Sequence, residues 1–170
     1  MSGFAFEPAP APIADALRWV KTHRAQGGVV TSSKNRLLYP EVTGYLIPPL
    51  LRRGENETAL AFARALLAVQ REDGAFADPA GREGYAFDTG QALRGLAAIL
   101  PILPEAENAI RRAVDWMIAS SSDEGRLPVP KGAAWSLGAR GTISEAVHLY
   151  ALPGILAASD ALGDRSWRVF

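Results

Sequence analysis

The 170-residue sequence contains no cysteine. This absence excludes disulfide bonds, thiolate zinc sites and cysteine nucleophiles, and it is compatible with a reducing compartment. The chain also lacks an excess of either charge, because 18 Lys and Arg residues balance 18 Asp and Glu residues. A neutral chain is not attracted as a whole to nucleic acid or to an acidic membrane surface. We therefore expect no nucleic-acid partner.

Long hydrophobic runs are absent as well. No apolar stretch approaches the roughly 20 residues that a helix needs to cross a bilayer, so the sequence predicts no membrane span. Residues 1–12 lack the basic and apolar regions of a secretory signal, and their alternating prolines indicate an extended arm. We expect a cytoplasmic protein in which this arm precedes a single domain over residues 13–170.

Signals for a bound metal or nucleotide are also missing. The two histidines, His23 and His148, are far apart in the sequence, and neither belongs to a cluster with metal-ligand spacing. No glycine-rich phosphate loop of the nucleotide-binding types occurs. The sequence therefore predicts neither a metal nor a cofactor.

What the sequence does contain is a repeated pattern. Residues 39–45, 85–91 and 141–148 each begin with polar or aromatic side chains and continue into an apolar segment compatible with a helix. The first two segments lie about 46 residues apart, a usual period for helical repeats. Alignment of Asp88 with Glu145 makes the next step about 57 residues, which assigns the third repeat a longer loop over residues 126–141. Such a pattern predicts stacked helical hairpins.

Each predicted hairpin has two parts. The first is an amphipathic helix followed by a glycine, and Gly27, Gly74 and Gly125 are expected to take the left-handed position just after it. The second is a more apolar helix, predicted over residues 41–51, 88–100 and 143–158. Prolines 48, 49 and 153 are expected to kink or end these helices. Because no segment alternates with period two, we predict an all-α fold.

Residues 70–76, Gln-Arg-Glu-Asp-Gly-Ala-Phe, resemble the Q-x-x-D-G-x-aromatic motif of prenyltransferase and squalene-cyclase repeats. Residues 39–45 and 87–91 are similar to uncharacterised α/α-toroid repeat proteins, some of them from surface-polysaccharide pathways. The resemblance covers about residues 14–163 and implies an open α/α-toroid-like array of about three helical hairpins. That is fewer than a closed toroid has, so we expect a homo-oligomer or a partner protein, with contacts through Trp167, Val169 and Phe170.

The resemblance also implies a site, because loops before the inner helices of a toroid line its central cavity. Asp88 and Glu145 are the predicted acid/base pair of a glycan-processing site, and His148 is a third candidate for proton transfer. Aromatic rings can stack on sugars, while carboxylate, amide and guanidinium groups bond to hydroxyls or to a uronate. The predicted substrate-binding residues are Tyr39, Glu41, Tyr45, Tyr85, Gln91, Trp135 and Arg140.

Structural interpretations of the same residues remain open. Asp88 and Gln91 have the spacing of a helix N-cap and its partner in the first turn. Residues 142–145 match a capping box that contains Glu145. Tyr39 and Tyr85 occupy equivalent repeat positions, which favours a shared packing role. A hydrogen-bonded structural role is open for His148 as well.

These patterns leave three functions open. The leading hypothesis is a glycan-binding or glycan-processing module with an oligosaccharide ligand, within polysaccharide biosynthesis. The first alternative is a non-catalytic helical scaffold, or a subunit that completes a toroid by association. The second is a subunit similar to terpenoid cyclases or prenyltransferases, although no D-x-D-D motif of the alkene-protonating cyclases is present. Whether the chain is an enzyme is not decided by the sequence.

Overall fold

The computed structural model describes residues 11–127 and 149–169. Its helices are α1 (Ala11–Thr22), α2 (Pro40–Arg52), α3 (Asn56–Val69), α4 (Ala86–Ile99), α5 (Ala106–Ser120) and α6 (Leu152–Leu162), followed by a 3-10 helix, Arg165–Val169. The sheet in these ranges is a two-stranded ribbon of β1 (Arg24–Ala25) and β2 (Gly28–Val29). The all-α prediction is confirmed.

The ribbon after α1 is a feature that the sequence reasoning missed. Arg24 pairs with Val29 and Ala25 with Gly28, so Gln26 and Gly27 form a two-residue turn. Both turn residues have positive φ, 52° and 87°, as a type I′ hairpin turn requires. Two-residue strands are too short to show an alternating pattern. Gly27 therefore serves a hairpin and does not end the helix, which stops at Thr22.

The other two marker glycines are left-handed as expected, but they do not lie directly after a helix. Gly74 and Gly125 have φ of 96° and 74°. Helix α3 already ends at Val69, where Gln70 is extended with ψ of 130°. Helix α5 ends at Ser120, and the next residue has ψ of 153°. The glycines thus belong to the turns that follow, and the predicted position just after the helix is wrong.

Proline does not end α2, because the helix continues through Pro48 and Pro49 to Arg52. Pro48 has no N–H for the carbonyl of Gly44, four residues earlier. That carbonyl lies against Gly95 of α4, where Cα–H groups can provide weak hydrogen bonds. Pro153 lies in the first turn of α6, where a missing N–H costs nothing.

The helices form two layers. The inner helices α2, α4 and α6 pack in series, while α3 packs on α2 and α5 packs on α4. Glycine permits the close approach of the inner helices: a Cβ on Gly95 would overlap the carbonyl of Gly44, and one on Gly154 would overlap that of Gly90. Between the layers lies the core, whose largest fully buried side chains include Ile47, Phe62, Leu66, Phe76, Leu93, Leu96, Ile110 and Met117.

Equivalent hydrogen bonds show the repeat in the structure. The N–H of Tyr39 donates to the carbonyl of Val29 (2.8 Å), and the N–H of Tyr85 donates to that of Phe76 (2.9 Å). In the first repeat the hydroxyl of Thr43 accepts the N–H of Val29 at 3.1 Å. In the second, Thr89 accepts the N–H of Phe76 at 3.0 Å. Each threonine thus fastens the preceding loop to the start of an inner helix.

The segment of residues 70–76 has a structural role. The side-chain amide of Gln70 donates to the carbonyls of Gly74 (2.9 Å) and of Ala109 in α5 (2.8 Å). A carboxylate oxygen of Asp73 accepts the N–H of Ala75 at 3.1 Å, and Phe76 is fully buried. Gly74 lies against the backbone of Arg112, which leaves no room for a side chain. The motif therefore joins α3 to the next outer helix.

The third inner helix departs from the prediction. A turn at residues 150–151 interrupts the helix expected over residues 143–158, and α6 begins at Leu152. Gly154 packs on α4 as Gly95 packs on α2. The sequence spacing from Gly95 to Gly154 is about two residues longer than the spacing from Asp88 to Glu145 on which the predicted alignment rests. Residues 1–10, 128–148 and 170 lie outside the described residues.

The C-terminal segment folds back on the core. Trp167 is buried, and the guanidinium of Arg111 lies 5.8 Å from the centre of its ring. Ser159 of α6 donates its hydroxyl to the carbonyl of Asp164 at 2.7 Å, which fixes the turn before the 3-10 helix. Trp167 therefore packs within its own chain, and its predicted role in an exposed contact is wrong. Among the helices described, none has the length and apolar character to cross a membrane.

Candidate functional site

Side chains with proton-transfer chemistry meet at the N-terminal ends of α2 and α4. Tyr39 and Tyr85 are the residues immediately before these helices, and both have an extended backbone. Glu41 and Asp88 follow in the first turns. We name the group that interacts electrostatically here the tyrosine–carboxyl cluster; its members are Tyr39, Glu41, Tyr45, Asp78, Tyr85 and Asp88.

Asp88 is the buried member of the cluster. This residue is only 5% exposed, and its Oδ1 atom has no hydrogen-bond partner among the residues that the structure describes. Burial, together with the negative charges of Glu41 and Asp78, raises the pKa of Asp88 from its ordinary 3.8 to about 8, although a hydrogen bond from its own backbone N–H acts in the opposite direction. A buried carboxyl resists ionisation because the charged form loses its hydration. Asp88 is therefore protonated at neutral pH and can donate a hydrogen bond or a proton.

The capping interpretation of Asp88 and Gln91 is wrong. Helix α4 begins at Ala86, so Asp88 is its third residue, and no side chain caps the helix. Gln91 is buried, and its amide donates to the carbonyl of Tyr150 at 2.8 Å. This bond joins α4 to the turn before α6. Gln91 thus lies about one helical turn after Asp88 in α4, and its side-chain amide already donates one hydrogen bond, to Tyr150.

The tyrosines supply further hydrogen-bond donors. Burial, a hydrogen bond to Glu41 and the charge of that carboxylate raise the pKa of Tyr39 far above its usual range. Burial and then the charge of Glu41 raise the pKa of Tyr45. Burial, followed by the charges of Asp78 and Asp88, raises the pKa of Tyr85. Tyr45 is 39% exposed, so the cluster opens to solvent on its side.

A shared packing role does not account fully for Tyr39 and Tyr85. Their backbones do repeat the same hydrogen bond to the preceding loop. Their side chains, however, are only partly buried and lie outside the hydrophobic core. The main chain of each tyrosine therefore has the repeated structural role, while its phenol is a partly buried member of the cluster.

Asp78 is a member that sequence reasoning missed. Burial works against its ionisation, but the hydrogen bonds and charge of Arg82 outweigh burial and lower the pKa of Asp78. The guanidinium of Arg82 lies 2.8 Å from Asp78 Oδ2, and the N–H of Arg82 donates to Oδ1 at 3.0 Å. The Asp-Pro-Ala-Gly sequence of residues 78–81 is a turn signal that could have placed this aspartate at a loop start.

The remaining predicted site residues are Trp135, Arg140, Glu145 and His148, which lie outside the described residues. The pairing of Asp88 with Glu145 therefore stays a prediction. Among the carboxylates of the described residues, Glu41 is the one whose negative charge raises the pKa of Asp88 most. No group of three or more His, Cys, Asp and Glu side chains within residues 11–127 and 149–169 has the arrangement of a metal site.

The fold and this cluster define an all-α protein in which tyrosine and carboxyl side chains lie at the N-terminal ends of two inner helices. Comparisons of the chain with protein-family models, with curated proteins and with solved structures find no match.

Proposed function

We propose that the chain binds a glycan at the tyrosine–carboxyl cluster. The observation that carries the proposal is Asp88, a buried and neutral carboxyl beside the negatively charged Glu41. Within residues 11–127 and 149–169, the Oδ1 atom of Asp88 has no hydrogen-bond partner. A sugar presents hydroxyls that both donate and accept, and it needs partners of both kinds. Asp88 is a donor, whereas Glu41, which accepts the hydrogen bond of Tyr39, has further acceptor capacity. The half-exposed ring of Tyr45 offers a flat apolar face for a sugar ring.

The same pair of carboxyl groups supports glycan processing. Glycoside cleavage requires one protonated carboxyl as acid and one carboxylate as base or nucleophile. Environments that separate the protonation of two neighbouring carboxyl groups provide this division of roles. Asp88 would donate the proton to the leaving oxygen, and Glu41 would act on the opposite side of the bond. Glu145 and His148 remain candidates for further proton transfer, and polysaccharide biosynthesis remains the proposed setting.

The test is a thermal-shift screen with neutral and uronate-containing oligosaccharides. A ligand that binds only the folded state raises the unfolding temperature in a saturable way. We expect such a rise with one sugar class, and its loss in Tyr45→Ala, where the exposed ring is removed. Trp19→Ala, which removes another exposed aromatic ring on α1, is the matched control and should keep the rise. Asp88→Asn should abolish any turnover of a ligand that binds.

Absence of a shift with every sugar, from a folded sample, would contradict glycan binding. The non-catalytic scaffold would then be favoured, and one observation supports it: Leu149, Tyr150 and Leu156 are 65%, 64% and 48% exposed beside the last inner helix. Large apolar side chains that are exposed to this degree favour a surface that contacts another protein.

A further inference from the structure

A second concave surface lies at the opposite ends of the inner helices. It is a groove of about 630 Å³ between the C-terminal halves of α2, α4 and α6, a volume typical of small-molecule sites. We name it the arginine groove and define it by Pro48, Arg52, Arg94, Ala98, Ala157 and Ala161. From Glu41 to Arg52 the helix rises roughly 16 Å, so the groove is separate from the tyrosine–carboxyl cluster.

Small side chains create the groove. Gly95 and Gly154 bring the three inner helices into backbone contact, and Ala98, Ala157 and Ala161 then leave space above that contact. Ala98 and Ala161 are exposed. The result is a mostly apolar floor that faces water.

Two arginines line this floor. Arg52 and Arg94 are exposed, and neither guanidinium has an ion pair or hydrogen bond within the described residues. Asp160, the acidic residue of the lining, is already held by Arg168. Arg52 lies in the last turn of α2, where the negative end of the helix dipole favours a cation. The presence of Arg52 can therefore be explained without a ligand. Arg94 has no such explanation, because α4 continues to Ile99.

We propose that the arginine groove binds an amphiphile, a molecule with an apolar chain and one anionic head group, either carboxylate or phosphate. The alanine and proline floor would cover the chain, since burial of apolar surface is favourable at about 25 cal/mol per Å². The two guanidinium groups would hold the head group through charge-assisted hydrogen bonds. A neutral molecule of the same shape leaves both charges unpaired and binds more weakly.

The test is a calorimetric titration of the protein with decanoate below its micelle concentration, with decyl phosphate and decanol beside it. We expect saturable binding of at least one anion. The double variant Arg52→Ala/Arg94→Ala should weaken it about tenfold or more, which is the scale of one strong charged contact. Ala98→Trp should block it by filling the groove.

Matched controls lie on the outer helix α3. Arg64→Ala and Ala68→Trp change an exposed arginine and an exposed alanine of that helix, and both should bind decanoate as the unaltered protein does. Asp88→Asn should also leave this binding unchanged, which separates the groove from the glycan proposal. Because the altered arginine and alanine side chains are exposed, the variants at these positions should keep their unfolding midpoint.

Three results would overturn the proposal. The first is no saturable binding of either anion. The second is equal binding by Ala98→Trp and Ala68→Trp. The third is that decanol binds as tightly as decanoate and that the arginine substitutions do not weaken the binding of decanoate. Selective binding of the carboxylate or of the phosphate would identify which head group the arginines accept.

Discussion

Gly154 of α6 lies with its backbone directly against the main-chain carbonyl of Gly90 in α4. A Cβ atom on Gly154 would overlap that carbonyl, and backbone atoms cannot rotate away as the end of a side chain can. The separation of the inner helices is therefore set by glycine at this crossing. The same relationship joins Gly95 to Gly44 one repeat earlier.

The first prediction concerns this crossing. Gly154→Ala should lower the free energy of unfolding by about 3 kcal/mol, the upper part of the range for overpacking. In a helix without such a contact, the same change would raise it by about 1 kcal/mol. Urea unfolding measures the sign of this change in the free energy of unfolding. A variant more stable than the unaltered protein would contradict the close contact between α4 and α6. Gly81→Ala is the control; it lies in open space at φ +72° and should cost only about 1 kcal/mol.

The second prediction concerns the repeated threonines. Thr89→Val keeps the shape of the side chain but leaves the buried N–H of Phe76 without its acceptor. An unsatisfied buried donor costs about 1–3 kcal/mol. Thr43→Val should cost a similar amount, because Thr43 accepts the N–H of Val29 in the same way. Chemical denaturation measures both losses.

Thr22→Val is the control for these substitutions, since Thr22 is an exposed residue of α1. Surface changes of this kind stay within about 0.5 kcal/mol. If the two buried variants unfolded at the same denaturant concentration as this control, the threonines would not fasten the loops to the inner helices.

These contacts show which features of the fold were predictable. The helical repeat followed from the matched segments 39–45 and 85–91. Each segment contains a threonine with a buried hydroxyl next to a glycine in backbone contact, and both roles restrict the residue type in the sequence. The ribbon after α1 left no such trace, since its strands have two residues each. Trp167 is buried because the backbone turns at Gly163, φ 69°. This turn folds the C-terminal tryptophan back onto the core, which its position in the sequence does not indicate.

The candidate site was predictable in part for similar reasons. Asp88 and the tyrosines precede or begin apolar helices, so their grouping followed from the repeat. The protonation of Asp88 did not, because it depends on burial and on the charges of Glu41 and Asp78, which sequence spacing does not report. Gln91 bonds to the carbonyl of Tyr150, far away in the sequence, and long-range contacts of that kind have no local pattern.

The third prediction is a pH dependence of stability. The pKa of Asp88 is about 8 in the folded chain and 3.8 ordinarily. Between these values the unfolded chain releases a proton that the folded chain keeps, so Asp88 lowers stability as pH rises from about 4 to about 8. The slope reaches about 1.4 kcal/mol per pH unit and vanishes outside this window.

Asp88→Asn removes that titration. We therefore expect the variant to match the unaltered protein near pH 4 and to be more stable at pH 8, as measured by urea unfolding at several pH values. Asp115→Asn, which alters an exposed aspartate of α5, is the matched control for the substitution itself. A parallel offset of the Asp88→Asn profile at all pH values would contradict a titration of Asp88 in this window.

The most direct test of the account is the titration of the Asp88 carboxyl itself. Carbon-13 NMR of protein labelled at aspartate follows each side-chain carboxyl with pH, and the signal missing from Asp88→Asn identifies residue 88. The account predicts a midpoint at about 8, which leaves a protonated carboxyl among the tyrosines at neutral pH. A midpoint near the ordinary value of 3.8 would contradict it, because the cluster would then have no protonated carboxyl to donate to a sugar.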